Sequence, residues 1–143
     1  MKICLVEIVD RGYVFGDPAD PPCYDANPLD EDIAQAVAKA KESGITEKRR
    51  WHGAEKQDVL QEVFKEATLE AQVARLKRYH AERVAHYVVN GWESQEDKKH
   101  PIAVKAFADS LHPHFKWLTT EGVHRLKAIR FLGVSEIEVK VEE

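Results

Sequence analysis

The chain changes its hydrophobic period twice, and each change predicts a different kind of element. Near the start, "KICLVEIV" is a short apolar run rich in β-branched residues, which predicts a strand over residues 2–9. "FGDPADPPCYDANP" then gathers four of the six prolines with Asp and Gly, so residues 15–28 read as loop or extended chain. Beyond it the period lengthens to that of a helix. Ile33, Ala36, Val37 and Ala40 recur at i, i+3, i+4 spacing behind Asn27 or Asp30, and Gly44 supplies a stop. A second helical pattern begins at Ala54 and uses Val59, Leu60, Val63, Phe64, Ala67, Ala71, Ala74 and Leu76. "KRYHAERVAHYVVNGW" continues it through Val84, Ala85 and Val88 to the Asn90-Gly91 stop. A run of about 35 residues is long for a small domain, so an interruption is expected near Tyr79 or His80.

In the last third the period shortens again. "HPIAVKAF" alternates as a strand, with Pro101 at its start, where a missing N–H does no harm. "HFKWLTT" is a second strand. Val123 to Phe131 is helical, with Leu126, Ile129 and Leu132 expected on one face and Gly133 at the end. "SEIEVKV" closes the chain as an alternating strand, with Ile137, Val139 and Val141 on one side. The order predicts an α/β (α+β) fold, a small mixed sheet flanked by helices. One domain over 1–143 is expected, with residues 1–79 as an N-terminal strand and helical extension.

With 143 residues, 43% hydrophobic and 32% charged, the composition is that of a globular chain with an ordinary core. A net charge of −4 excludes the overall basic field of a general nucleic-acid binder. The distribution adds a qualification: residues 1–47 carry 4 basic and 10 acidic side chains, and residues 48–90 carry 9 and 6. Lys48, Arg49, Arg50, Arg75, Lys77, Arg78 and Arg83, beside Trp51, make a nucleic-acid face possible. Interleaved glutamates support instead i, i+4 pairing on a wet face. Cys4 and Cys23 form neither a disulfide framework nor a zinc spacing, and Cys4 is expected to be a buried thiol. The opening segment is too short for a signal peptide or a membrane span, so no membrane and a cytoplasmic setting are expected.

The densest chemistry lies in "TTEGVHRLK". A helix start presents unpaired amides and partial positive charge, and a glycine at its mouth lets an oxyanion approach the backbone. Arg125 can close a fork on phosphate, His124 can add a donor, and Lys127 a looser charge. Thr119 and Thr120 can cap the helix or donate hydroxyls. The plainer reading is that Gly122 only makes the turn and that His124 and Arg125 are exposed helix residues. Glu121 beside a phosphate is repulsive unless it helps hold a divalent ion; otherwise it tucks into the turn and bonds backbone amides. Glu93, Glu96 and Asp97 sit in a loop that can supply a general base or metal ligands, or simply a solvated connection. His112-Pro113-His114 is a further metal pattern, though its spacing fits surface histidines equally well. Trp92 and Trp117 read as core or rim aromatics.

The run "HPIAV...WLTTEGVHRLKAIRFLGVSEIEVKV" resembles the ParB/sulfiredoxin-like superfamily over residues 80–143. That resemblance implies a ParB-like core in which Gly122, His124 and Arg125 cradle the phosphates of ATP or CTP; the residues beside them add Thr120 and Lys127 as further contacts and Mg²⁺ as the divalent ion. If the protein is an enzyme, the residues themselves suit phosphoryl or phosphodiester chemistry, with Glu121, His124 and Glu93 as catalytic candidates and Glu121 as metal ligand. Val123 stands where sulfiredoxins carry their catalytic cysteine, so sulfinic-acid repair is not expected. The chain ends at Glu143 without the helix-turn-helix region of partition proteins, so a partition role is not expected either. Two readings stand beside nucleotide binding: a non-enzymatic regulatory or interaction module, of the kind mobile elements encode, and a metal-dependent nuclease.

Overall fold

The computed structural model describes residues 1–10, 12–15, 24–92 and 97–143. The protein is α+β, and its chain gathers into two compact units, Met1–Arg11 with Asn90–Glu143, and Gly12–Val89. Residue 79, where the expected extension ends, lies inside a continuous helix, and residues 1–11 gather with residues 90–143. No helix among the described residues is long and apolar enough to cross a membrane.

In the first unit, strands β1 (Lys2–Cys4) and β2 (Ile8–Val9) replace the single expected strand. The reason is in the spacing of the buried residues. Ile3, Leu5 and Ile8 all enter the core, but in a straight strand Leu5 and Ile8 would point to opposite faces. One 3-10 turn at Leu5–Glu7 restores Ile8 to the core side and leaves Val6 exposed. Cys4 is half-buried rather than buried, because Ile3 and Leu5 take the inward positions on either side of it.

Numbering β3 (Val14–Phe15) and β4 (Tyr24–Asp25) in the second unit, the first unit continues with β5 (Ala103–Ala106) and β6 (Trp117–Glu121). It ends with β7 (Glu136–Glu138) and β8 (Lys140–Glu142). The four-stranded sheet has the order β2-β6-β5-β8, with β2 parallel to β6, β5 antiparallel to β6, and β8 parallel to β5. The expected closing strand is divided: β7 pairs antiparallel with β1, and β8 joins the larger sheet. Ile137 and Val139 are buried, but Val141 on edge strand β8 is 38% exposed.

Helix α4 (Val123–Phe131) packs Leu126, Ala128 and Ile129 into a core made by Ile3, Leu5, Ile8, Ile102, Val104, Ile137 and Val139. Trp92 and Trp117 lie half-buried against it, as expected. Leu132 does not share the apolar face. It is the residue after the helix and is 45% exposed, because left-handed Gly133 turns the chain away there.

The second unit holds the β3-β4 ribbon and three helices: α1 (Asp30–Ser43), α2 (Gly53–Phe64) and α3 (Leu69–Asn90, whose last residue leaves the unit). The Asp32 carboxylate accepts from the Leu29 amide at the start of α1, Ile33, Val37 and Ala40 are buried, and left-handed Gly44 ends the helix. The long helical pattern does break, but at residues 65–68 rather than at Tyr79 or His80. Lys65 and Glu66 donate to Glu62 and Val63, tightening the end of α2, and Thr68 Oγ1 accepts from Ala71 to cap α3. Tyr79 and His80 are buried in the middle of α3.

The corrected apolar face of α4 predicts unequal costs. Leu126→Ala should destabilise the protein by about 2–5 kcal/mol, and Leu132→Ala by less than about 0.5 kcal/mol, in urea unfolding.

Candidate functional site

The turn between β6 and α4 is built by one irregularity and one glycine. Ala103 pairs with Glu121 and Val104 with Thr119, so Thr120 has no register partner on β5 and forms a bulge. Its Oγ1 is shielded from solvent and has no hydrogen-bond partner among the described residues. Gly122 follows at φ 87°, ψ 32°, the left-handed region, and is the N-cap of α4. A Cβ there would stand 2.8 Å from Ile102 Cγ1 and 3.2 Å from Arg125 Nη2. Glycine is therefore required twice, by the backbone angle and by the space. Having no side chain, Gly122 leaves α4 without a side-chain cap, and the helix starts with Leu126 donating to the Gly122 carbonyl at 2.8 Å.

The expected residues distribute as follows. Arg125 is 8% exposed, with its guanidinium folded back beside Gly122, so it is a buried component of the turn and not an exposed helix residue. His124 and Lys127 are half-buried on the first turns of α4. Glu121 ends β6 with an exposed side chain, and it provides no cap hydrogen bond to α4. The turn thus brings Thr120, Glu121, Gly122, His124, Arg125 and Lys127 into one segment. Thr119 is excluded from it: fully buried, it donates from Oγ1 to the Val9 carbonyl and ties β6 to β2. Glu93 and Glu96 lie outside the described residues, and so does Cys23. Asp97 opens a short 3-10 turn.

Among the described residues, no group of three or more His, Cys, Asp and Glu is placed to hold a metal ion. A cation at Glu121 would therefore take its other ligands from phosphate oxygens and water. His112 and His114 are exposed in the loop between β5 and β6, with ring centroids 6.1 Å apart.

Two residues that sequence reasoning missed hold α4 in position. Ile102 closes over Gly122, and Arg130 donates to the Asp10 carboxylate at 3.0 Å and to the Ile8 carbonyl at 2.7 Å. Neither carries a local signal, since both contacts join segments distant in sequence.

In the second unit, the basic residues of the middle segment are largely engaged. Arg49 pairs with Glu47 at 2.6 Å and Glu62 at 2.8 Å, and Arg75 with Glu66 at 3.1 Å. Arg83 is 3% exposed and donates to the Glu47 carbonyl and the Tyr87 hydroxyl. Trp51 is half-buried, edge-on to His80, with the Lys56 ammonium 4.8 Å from its ring centre. A small open cavity of about 70 Å³ is bordered by Glu47, Arg49, Glu62, Arg75 and Tyr79. Burial pushes the Tyr79 hydroxyl well above its ordinary range, and it donates to the Arg49 carbonyl. Burial alone would raise the Glu47 carboxyl. Hydrogen bonds from the Arg49 side chain and backbone, with the charges of Arg49 and Arg83, outweigh it and hold Glu47 below its ordinary value.

Comparison with protein-family models, curated proteins and solved structures returned no match.

The depressed Glu47 carboxyl sets a pH dependence. A group with a lowered folded pKa adds stability above its unfolded value of 4.5, and that stability is lost as pH falls through the folded value. Glu47→Gln should therefore lower Tm near pH 7 and flatten the decline of Tm below about pH 5, measured by calorimetry across a pH series.

Proposed function

We propose that the β6-α4 turn is an oxyanion seat and that the protein binds the phosphates of a nucleotide. The observation that carries this reading is the left-handed Gly122 at the N-cap of α4, with the Arg125 guanidinium packed beside it. A helix start carries about half a positive charge, and a glycine there admits an oxygen close to the backbone. Arg125 supplies a fixed cation, and its burial makes each charge-assisted bond stronger than it would be in water. His124 adds a donor and Lys127 a peripheral charge. Thr120 Oγ1, which has no hydrogen-bond partner among the described residues, is a further donor for the ligand.

Glu121 selects among ligands. An exposed carboxylate about 4 Å from a phosphate would cost about 4 kcal/mol at an effective dielectric near 20. A divalent ion between them reverses the sign, which favours a nucleoside triphosphate with Mg²⁺, ATP or CTP, over inorganic phosphate alone. If the site is catalytic, phosphoryl transfer or phosphodiester hydrolysis is the class it suits, with His124 and Glu121 as the groups nearest the phosphates. This reading agrees with the resemblance to ParB/sulfiredoxin-like proteins and with a cytoplasmic setting. The regulatory-module reading shares the fold and differs in having no nucleotide.

Isothermal titration with ATP, CTP and GTP, with and without Mg²⁺, tests the proposal. Binding should require Mg²⁺ and weaken about tenfold in His124→Ala, the loss of one charge-assisted hydrogen bond. No heat with any nucleotide, or equal affinity in His124→Ala and Arg125→Lys, would leave the interaction module standing.

A further inference from the structure

Helices α1 and α3 of the second unit line an open groove of about 420 Å³. Its floor is of small residues, Ala36 on α1 with Ala74 and Ala81 on α3. The lining runs from Asp32 to Lys39 on one wall and from Ala74 to Glu82 on the other. At a rise of 1.5 Å per residue each wall is about 11–12 Å long, the length of two helical turns.

The charge on this groove is of a different kind from that on the other flank of α3. There Arg49 and Arg75 are neutralised by Glu47, Glu62 and Glu66. Here Lys39, Lys77 and Arg78 border the floor, Arg78 also reaching the cavity on the other flank, and among the described residues none of the three side chains has a hydrogen bond or ion pair. Asp32 is engaged at the start of α1 by the Leu29 amide, so Glu82 is the one lining carboxylate without a partner there. The result is an apolar floor between walls with an excess of positive charge.

We propose that this groove docks a short acidic amphipathic helix of a partner protein. The partner's aliphatic side chains rest on the alanine floor and its carboxylates meet Lys39, Lys77 and Arg78. A helix seated between two helices repeats its anchors at i, i+3, i+4 and i+7, which matches a two-turn groove. Nucleic acid fits less well, because the lining offers no aromatic group for stacking. The small footprint places the complex among weak, transient interfaces, and its charge makes it salt-sensitive.

The test uses the full chain, ¹⁵N-labelled and titrated with an acetylated Leu/Glu helical peptide of about two to four turns. A twin peptide with Lys for Glu and an oligothymidylate serve as competitors. The acidic peptide should shift amides on the facing stretches of α1 and α3, with a micromolar Kd. Affinity should fall about tenfold in about 0.5 M salt and in Lys77→Glu/Arg78→Glu. Ala74→Trp, at an exposed helix position, fills the floor without changing charge and should abolish binding while circular dichroism stays unchanged. Equal binding of the Lys twin, shifts outside the groove, or unchanged affinity in Ala74→Trp would overturn the proposal. So would tighter oligothymidylate binding at the same residues, which assigns the groove to nucleic acid, or concentration-dependent shifts without peptide, which assign it to a second copy.

Discussion

The contact of Ile102 with Gly122 governs the geometry of the first unit. Ile102 stands just before β5, Gly122 just after β6, and the two strands are antiparallel neighbours. With 2.8 Å between the Ile102 side chain and the place a Cβ would occupy, the loop can pass only as glycine. That glycine takes the left-handed angle that turns the chain from strand to helix in one residue. Helix α4 is then aimed so that Leu126 and Ile129 face the core, and the Arg130 bonds to Asp10 and Ile8 fix its far end. The orientation of the helix start, and hence of any oxyanion it receives, follows from these two attachments. Arg125 takes its buried position for the same reason: a side chain one turn into the helix is directed back toward the N-terminus, over the glycine.

The second unit solves a different problem. Its segment 44–52 has no regular structure, so its backbone groups need partners from outside, and side chains of α3 supply them. Tyr79 donates to the Arg49 carbonyl and Arg83 to the Glu47 carbonyl, and beside them the Thr46 and His86 side chains share a 2.7 Å hydrogen bond. Arg83 is buried, and a buried guanidinium is tolerated only when its donors are matched. Here the Glu47 carbonyl and the Tyr87 hydroxyl each accept from it, and the Tyr87 ring centre lies 4.6 Å from the guanidinium carbon. Of the basic residues of 48–90, Arg49, Arg75 and Arg83 are paired internally, and Lys77 and Arg78 border the groove.

What could be read in the sequence was what local chemistry dictates. The bounds of α4 and the glycine stop of α1 followed from periodicity and from residues suited to a left-handed angle. The break between α2 and α3 escaped because it contains neither Gly nor Pro, and Ala67 and Ala71 continue the helical spacing through it. Only Thr68, a capping residue, marked it. The division of the first and last strands escaped because it depends on β1 pairing with β7, more than 130 residues away. At the candidate site, Gly122 was legible as a glycine at a helix mouth, but its necessity was not, since Ile102 is about 20 residues earlier. Thr119 was misread as a cap because the hydroxyl's partner, the Val9 carbonyl, lies across the sheet.

The central claim is that the amides opening α4 receive an oxyanion beside Arg125. Its most direct measurement is a backbone amide NMR titration with pyrophosphate in the presence of Mg²⁺. The account predicts saturable downfield shifts led by Val123, His124 and Arg125, with the Arg125 guanidinium protons moving in step. Shifts confined to other residues, or no saturation at millimolar pyrophosphate, would contradict it.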